Sequence, residues 1–229
     1  MVQDYQCKFC SKAFTRESTL SSHMCEKKRR WMGKDESASR IAFSVWTDFM
    51  KYVSPNTKKV KTIDDFIRSP DYVGFIKFAN YLIELRPYES DKFIHWLFKM
   101  GVRLSDWQKQ GTYQLYVQEA AKKETVERAL ERTILAMRSW GEATGNRWQE
   151  FFNKVAPASA MNMVVMGKLS PWIIYSTAAQ TLLDRMEPGQ IDTVAKHVDT
   201  EWWIKKLKNN PSEVTWINTT MIQILNSQD

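Results

Sequence analysis

The stretch YQCKFCSKAFTRESTLSSHMCEKKRR, residues 5–30, holds all three cysteines of this 229-residue chain. Two residues separate Cys7 from Cys10, and twelve more separate Cys10 from His23. A C-x2-C turn followed at this distance by a histidine directs two thiolates and an imidazole toward one tetrahedral ion. The stretch therefore predicts a small metal site near the beginning of the chain.

The spacing around these ligands resembles that of zinc fingers of the C2H2 type, in which two short strands precede one helix. Tyr5, Phe14 and Leu20 stand where such fingers carry the apolar residues of their small core. The resemblance implies a ββα unit in which His23 faces the ion from the helix.

The fourth ligand departs from that pattern. C2H2 fingers leave about three to five residues before their last ligand, whereas only Met24 separates His23 from Cys25. Positions two apart on a helix point about 200° away from each other, so Cys25 reaches the ion only if the helix stops at about His23. The alternative is a three-ligand or metal-free hairpin and helix with an unused Cys25. The predicted zinc ligands are Cys7, Cys10, His23 and Cys25.

The positive charge of the chain is concentrated beside this site. Residues 1–34 contain eight basic and three acidic side chains, which is five of the seven excess positive charges of the whole chain. Such an asymmetry favours a polyanionic partner more strongly than a high isoelectric point alone.

Nucleic acid, with DNA favoured, is the partner that a basic finger suggests. Alignment on Leu20 and His23 places three side chains where such fingers contact bases: Arg16, Thr19 and Ser22. A run of four cations then follows and predicts phosphate contacts: Lys27, Lys28, Arg29 and Arg30. One finger covers only about three base pairs, so we expect weak binding. The alternative is a solvated basic linker beside a protein-binding finger.

The cysteine distribution also indicates the compartment. An odd number of clustered cysteines without a signal peptide indicates metal ligands in a reducing environment, not a disulfide framework. The sequence has no apolar run near the roughly 18–20 residues that a membrane span needs. We therefore expect a soluble, intracellular protein without a membrane partner.

Beyond the basic run, the hydrophobic pattern is helical throughout. Apolar residues recur three and four positions apart, and proline or a capping residue marks most boundaries. The clearest helix is predicted over residues 123–144, and one apolar helix beginning at Pro171 is predicted over LSPWIIYSTAAQTLLDRM. The pattern predicts about nine to eleven helices in an all-α body, and the expected domains are a zinc finger at 1–26, a basic linker at 27–34 and a helical domain at 35–229.

An enzymatic function has no sequence support. No glycine-rich phosphate loop, nucleophile elbow or paired-histidine metal motif occurs, and we predict no catalytic residues. His95 lies among Phe93, Ile94, Trp96 and Leu97, which favours a core histidine. An enzyme that acts on nucleic acid through the helical body remains an alternative.

Several segments resemble a group of zinc-finger proteins of large T4-like bacteriophages. The matching text is CKFCSKAFTRESTLSSHMCEKKRRW, ALERTILAM, GKLSPWIIY and DTEWWIKKLKNNPSEVTWI. The resemblance implies a viral protein in the cytoplasm of the infected bacterial host, or a component of the virion. It implies no activity.

Together these features predict a nucleic-acid-binding zinc-finger protein whose helical body docks a protein partner. Transcription, replication and DNA packaging are the processes that fit this prediction. A structural or adaptor protein with a protein-binding finger is the leading alternative.

Overall fold

A computed structural model describes residues 5–57, 59–87 and 89–227. The first four residues of the predicted finger domain and the last two of the predicted helical domain lie outside this description. Within the described ranges the chain forms fifteen α-helices and one two-stranded sheet. The prediction of a mainly α-helical protein with a ββα unit at its beginning is confirmed.

The chain divides into two compact units. Of the described residues, the first unit contains 5–86 and 90–108, and the second contains 87, 89 and 109–227. The finger thus shares a unit with the helices that follow it. The predicted domain boundaries at residues 26 and 34 stay a prediction.

The first unit begins with the hairpin and continues with six helices and two short 3-10 turns. Its strands are β1 (Tyr5–Gln6) and β2 (Ala13–Phe14). Its helices are α1 (Glu17–Ser22), α2 (Glu26–Met32), α3 (Ser37–Val53), α4 (Ile63–Arg68), α5 (Tyr72–Leu85) and α6 (Ser90–Lys99). The 3-10 turns are Gly33–Asp35 and Leu104–Asp106.

The segment at 27–34, expected to be a linker, is helical over most of its length. Helix α2 runs from Glu26 to Met32 because Cys25 caps its first turn, and the Gly33–Asp35 turn follows without a break. Lysine and arginine are good helix formers, so a capped run of them continues as a helix.

An indole forms the centre of the first unit's core. Trp107 is 1% exposed, and its Nε1 donates to the carbonyl of Val102 at 2.8 Å. Its ring is surrounded by aromatic side chains at centroid distances of 5.0–5.7 Å: Phe49, Phe75, Phe78 and Phe98. Aromatic pairs at these separations stabilise a core beyond the area they bury.

The interpretation of His95 as a core residue is wrong. The imidazole is exposed on α6, and its Nδ1 lies 3.3 Å from the carbonyl of Asp91. Phe93 and Leu97 of the same helix are fully buried. Residues two positions apart on a helix point about 200° away from each other. His95 lies two positions from both Phe93 and Leu97, so it faces away from the buried side of α6.

The second unit consists of nine helices and two 3-10 turns. The helices are α7 (Gln110–Lys123), α8 (Val126–Thr144), α9 (Phe151–Lys154), α10 (Pro157–Val165), α11 (Pro171–Ile174), α12 (Gln180–Leu183), α13 (Pro188–Val198), α14 (Thr200–Asn209) and α15 (Pro211–Leu225). The turns are Trp148–Glu150 and Thr177–Ala179. Helix α8 confirms the helix predicted over 123–144.

The single apolar helix predicted from Pro171 is wrong. The segment forms α11, a 3-10 turn and α12 in succession. Ser176 lies at the break, where its hydroxyl donates to the carbonyl of Ile173 at 2.6 Å. A serine that bonds the local backbone competes with continuation of the helix. Breaks of this kind raise the helix count above the nine to eleven expected for the body.

The second unit also buries an ion pair beside its apolar core. Arg132 and Glu124 are 6% and 7% exposed, and the guanidinium pairs with the carboxylate. Arg132 also donates to the carbonyl of Gly167, and the hydroxyl of Ser170 donates to Glu124 at 2.8 Å. The network ties the start of α8 to the turn between α10 and α11.

Candidate metal centre

The hairpin positions the first two candidate ligands. Strand β1 pairs with β2 in antiparallel register, with Tyr5 opposite Phe14. The N–H of Cys7 donates to the carbonyl of Lys12 at 2.9 Å, and the N–H of Ser11 donates to the carbonyl of Cys7 at 2.8 Å. Ser11 adopts a left-handed conformation with φ of 60°. This tight turn brings Cys7 and Cys10 to the same side of the hairpin.

Helix α1 ends where the third candidate ligand begins. His23 has φ of −67° and ψ of 120°, which is extended backbone, while its N–H still donates to the carbonyl of Leu20 at 3.1 Å. Its Nε2 lies 3.3 Å from Sγ of Cys10. Its ring also packs against Phe14, with centroids 4.8 Å apart. The imidazole is thus held between the hairpin and the end of the helix.

The fourth candidate ligand is at the start of the next helix. Cys25 is the N-cap of α2, with φ of −81° and ψ of 162°, and its Sγ accepts the N–H of Lys28 at 3.4 Å. The backbone is therefore extended at both His23 and Cys25, and residues 23–25 lie outside any helix. Helix α1 thus stops at about His23, which is the condition that the sequence sets for Cys25 to face the other candidate ligands.

The four side chains converge. The candidate ligand atoms of Cys7, Cys10, His23 and Cys25 all lie within 4.8 Å of one another. Around a tetrahedral ion with Zn–S bonds of about 2.3 Å, sulfur ligands are about 3.8 Å apart, and the separations in this group, 4.8 Å at most, are of that order. The group could hold a metal ion. Among the described residues it is the one cluster of histidine, cysteine and acidic side chains with three or more converging ligand atoms.

Backbone amides favour the thiolate form at one of these cysteines. The N–H groups of Cys10 and Phe9 lower the pKa of Cys7 to about 7 against the opposing effect of burial. The N–H of Lys12 lowers the pKa of Cys10, but burial and the neighbouring Cys7 and Cys25 outweigh it, so that this pKa is raised. The thiolate is the form that binds metal, and a bound cation would favour it at every cysteine of the group.

The predicted base-contacting residues all lie on one exposed element. Arg16 is the N-cap of α1, and Thr19 and Ser22 follow on the helix, all exposed. The hydroxyl of Ser22 donates to the carbonyl of Ser18 at 3.1 Å. Their use in base recognition stays a prediction.

The four cations predicted to contact phosphates fall into two pairs: two are exposed, and two bond within the protein. Lys27 and Arg29 are exposed on α2. Lys28 donates from Nζ to the carbonyl of His23 at 3.1 Å. Arg30 has a side chain only 18% exposed, and it pairs with Glu26.

Arg30 also anchors α2 to the rest of its unit. It donates to the carbonyl of Ile67 at 3.0 Å, and its guanidinium lies 4.5 Å from the ring centroid of Tyr72. These contacts were not predicted, because partners 37 or more positions away give no periodic signal in the sequence.

A contact between the cysteine turn and α2 was also missed. Phe9 lies between Cys7 and Cys10, and its ring packs on Trp31 of α2 with centroids 5.6 Å apart. The tryptophan directly after the basic run was the only signal for it in the sequence.

Comparison with protein-family models, with curated proteins and with solved structures gave no match to the chain. The resemblance to bacteriophage proteins therefore rests on the quoted motifs alone. Among the residues that the structure describes, no helix combines the length and the apolar character that a bilayer crossing requires.

Proposed function

We propose that this chain is a zinc-finger protein that binds nucleic acid, with DNA as the favoured form. The observation that carries the proposal is the convergence of four ligand atoms within 4.8 Å, directly beside exposed cations of the following helix. Three sulfur ligands and one imidazole suit Zn²⁺ in a closed structural site, without an open position for catalysis.

The nucleic-acid surface would consist of α1 and the exposed side of α2. Arg16 has the geometry to donate two hydrogen bonds to a guanine edge. Lys27 and Arg29 add phosphate contacts that are insensitive to sequence. Lys28 and Arg30 bond within the protein, so we expect α2 to make two phosphate contacts and not four.

The helical body would supply specificity by docking a protein partner. A single finger covers about three base pairs, which is too few to define a site. The resemblance to phage proteins supports a role in transcription, replication or DNA packaging. The expected location is the cytoplasm of the infected host, or the virion.

An adaptor protein with a protein-binding finger is the second candidate. The inward contacts of Lys28 and Arg30 favour it, because they use two of the four cations of the basic run within the protein.

Salt dependence of binding tests the choice between these functions. With Lys27 and Arg29 in contact with phosphates, log Kobs for a short duplex should fall against log salt with a slope of about −1.8. Replacing Lys27 and Arg29 by glutamine should reduce the slope to near zero. The control is the double variant Lys205→Gln/Lys208→Gln, which removes two exposed cations of the second unit and should leave the slope unchanged.

Metal analysis of the purified chain tests the zinc assignment. We expect one zinc ion per chain. A metal-bearing protein that binds no nucleic acid at low salt would support the adaptor, and a protein without metal would contradict both proposals.

A further inference from the structure

We propose that Trp31 is a stacking surface for an unpaired base, and that the ammonium groups of Lys8 and Lys34 beside it contact the flanking phosphates. The inference rests on the proposed nucleic-acid function. It extends that function to single-stranded nucleic acid and assigns it a site apart from Arg16, Thr19 and Ser22.

The first observation is an aromatic ring exposed within a basic surface. Trp31 is 37% exposed near the end of α2. Nζ of Lys34 lies 4.4 Å from its ring centroid, and Nζ of Lys8 lies 5.7 Å from it. Both lysines belong to the segment that carries most of the excess positive charge.

The second observation is that the candidate metal turn fixes the ring's surroundings. Phe9 packs on Trp31 at 5.6 Å with the two rings tilted by 49°. Phe9 and Lys8 are the two residues between Cys7 and Cys10. An ion that orders the two cysteines therefore also orders the phenyl ring and the ammonium group that lie against the indole.

The physical properties of this surface select single strands over duplexes. Bases in a duplex have their faces covered by neighbouring pairs, whereas an unpaired base offers a free face to an indole. Stacking on an aromatic side chain tolerates every base, and cations beside it neutralise the phosphates on either side. When a base stacks on the ring, the ammonium group beside it would move to a phosphate, so that it exchanges its contact with the ring for a contact with the nucleic acid.

An acidic protein segment would meet the same cations, but it would leave the indole without a stacking partner. The exposed ring among lysines therefore favours a nucleic acid, and an acidic polypeptide becomes an outcome of the test.

The experiment compares a labelled oligo(dT) strand of about 12 nucleotides, within the usual site size, with a duplex of equal length. The zinc-loaded 229-residue chain is titrated into each, and fluorescence anisotropy is recorded. The variant Trp31→Leu keeps an apolar contact for Phe9 but removes the π face. We expect it to weaken single-strand binding by about 5- to 150-fold, the effect of losing one base stack, and duplex binding by less than about twofold.

Two further variants separate stacking from folding. Trp31→Phe should retain most of the single-strand affinity, because it keeps an aromatic face. Lys8→Gln/Lys34→Gln should lower the single-strand salt slope by about 1.4. The matched control is Trp216→Leu, which removes an indole 43% exposed on α15 and should change neither affinity.

The outcomes distinguish this inference from the function on which it rests. If the unaltered chain binds both nucleic acids and Trp31→Leu changes neither, or weakens both equally, the stacking site is wrong and the nucleic-acid function stands. If the unaltered chain binds neither nucleic acid, both are wrong. Binding of polyglutamate without binding of either oligonucleotide would assign the surface to an acidic protein and overturn the inference.

Discussion

Cys25 is both a candidate metal ligand and the N-cap of α2, and its Sγ would serve in both. Its Sγ lies with the other three candidate ligand atoms, and it also accepts the N–H of Lys28 at the start of α2. A thiolate bound to a metal retains lone pairs for such a hydrogen bond. The residue therefore connects the candidate metal site to α2 through one sulfur atom.

The variant Cys25→Ser should separate these roles. Serine is a good N-cap, so α2 should keep its first turn, while the loss of a thiolate ligand should weaken zinc binding. Substitutions of residues that only support the metal ligands lower metal affinity by about 10–100-fold. Because Cys25→Ser removes a ligand itself, we expect zinc affinity to fall by at least about 100-fold. Competition with a chromophoric chelator measures it.

The control for this change is Cys25→Ala, which removes both the ligand and the cap. It should lose zinc affinity to the same extent and in addition increase amide exchange at the start of α2. Unchanged zinc stoichiometry and affinity in both variants would show that the ion is bound without Cys25.

Gly167 occupies a position where a side chain is costly. Its φ is +70°, and an added Cβ would lie 2.9 Å from Cγ1 of Val117. The left-handed conformation costs an L-residue about 1–2 kcal/mol, and displacing Val117 adds to this. We expect Gly167→Ala to destabilise the second unit by about 2–3 kcal/mol, measured by urea unfolding.

The matched control is Gly189→Ala. A Cβ at Gly189 meets nothing within 4 Å, and the residue lies in α13 with ordinary backbone angles. Removing a helical glycine there should stabilise the protein, by up to about 1 kcal/mol. Equal effects of the two substitutions would contradict the geometric argument.

At the scale of elements, Asp199 forms the joint between two helices. It ends α13 and caps α14 in a left-handed conformation with φ of 54°. Its Oδ1 accepts the N–H of Trp202 at 3.4 Å, and its Oδ2 pairs with Nζ of Lys122 at 2.5 Å. Aspartate and asparagine tolerate this conformation better than other residues with a Cβ.

Two substitutions separate what the ion pair of Asp199 contributes to stability from what its cap and backbone conformation contribute. Asp199→Ala removes the cap and the ion pair, and alanine tolerates the left-handed conformation less well than aspartate. It should lower the free energy of unfolding by about 2–3 kcal/mol. Asp199→Asn keeps the cap and the conformation. It should cost less than about 1 kcal/mol, because the ion pair is partly exposed and screened by solvent. Thermal or urea unfolding measures both, and a larger cost for asparagine than for alanine would contradict this division.

The same residue gives a pH dependence with a defined sign. The Lys122 ammonium, followed by the N–H of Trp202, lowers the pKa of Asp199 in the folded protein. A lowered folded-state pKa contributes stability that is fully present above the unfolded-state value, and this stability is lost as the pH falls through the folded-state value. The unaltered chain should therefore lose more stability than Asp199→Asn below about pH 4, the ordinary range of an aspartate.

The sequence predicts elements where local chemistry determines them. The ligand spacing and the position of Leu20 predicted the ββα unit, and a fourth ligand at Cys25 required α1 to end at about His23, where it does end. The break at Ser176 was not predictable, because an apolar run gives the same periodicity whether or not one hydroxyl bonds back to a carbonyl. The inward position of Arg30 depends on Ile67 and Tyr72, which no local pattern connects to it.

At the scale of the whole molecule, the finger and the second unit are stabilised by different means. Among residues 5–25, Cys7 is the one fully buried side chain. The second unit buries a continuous apolar cluster from Ala121 to Met221. A segment as small as the finger cannot fold on apolar burial alone, so metal binding would supply most of its folding free energy.

Removal of the metal should therefore act on one part of the chain. With excess chelator at neutral pH, we expect residues 5–25 to lose protection against hydrogen exchange, and α2 to lose part of its own, because Phe9 and Cys25 no longer hold its ends. Residues 109–227 should keep their protection, since their core contains no candidate ligand. Hydrogen exchange with mass spectrometry, before and after chelation and after zinc is returned, measures each segment. Equal loss in both parts would contradict the separation, and an unchanged finger would show that its order needs no ion.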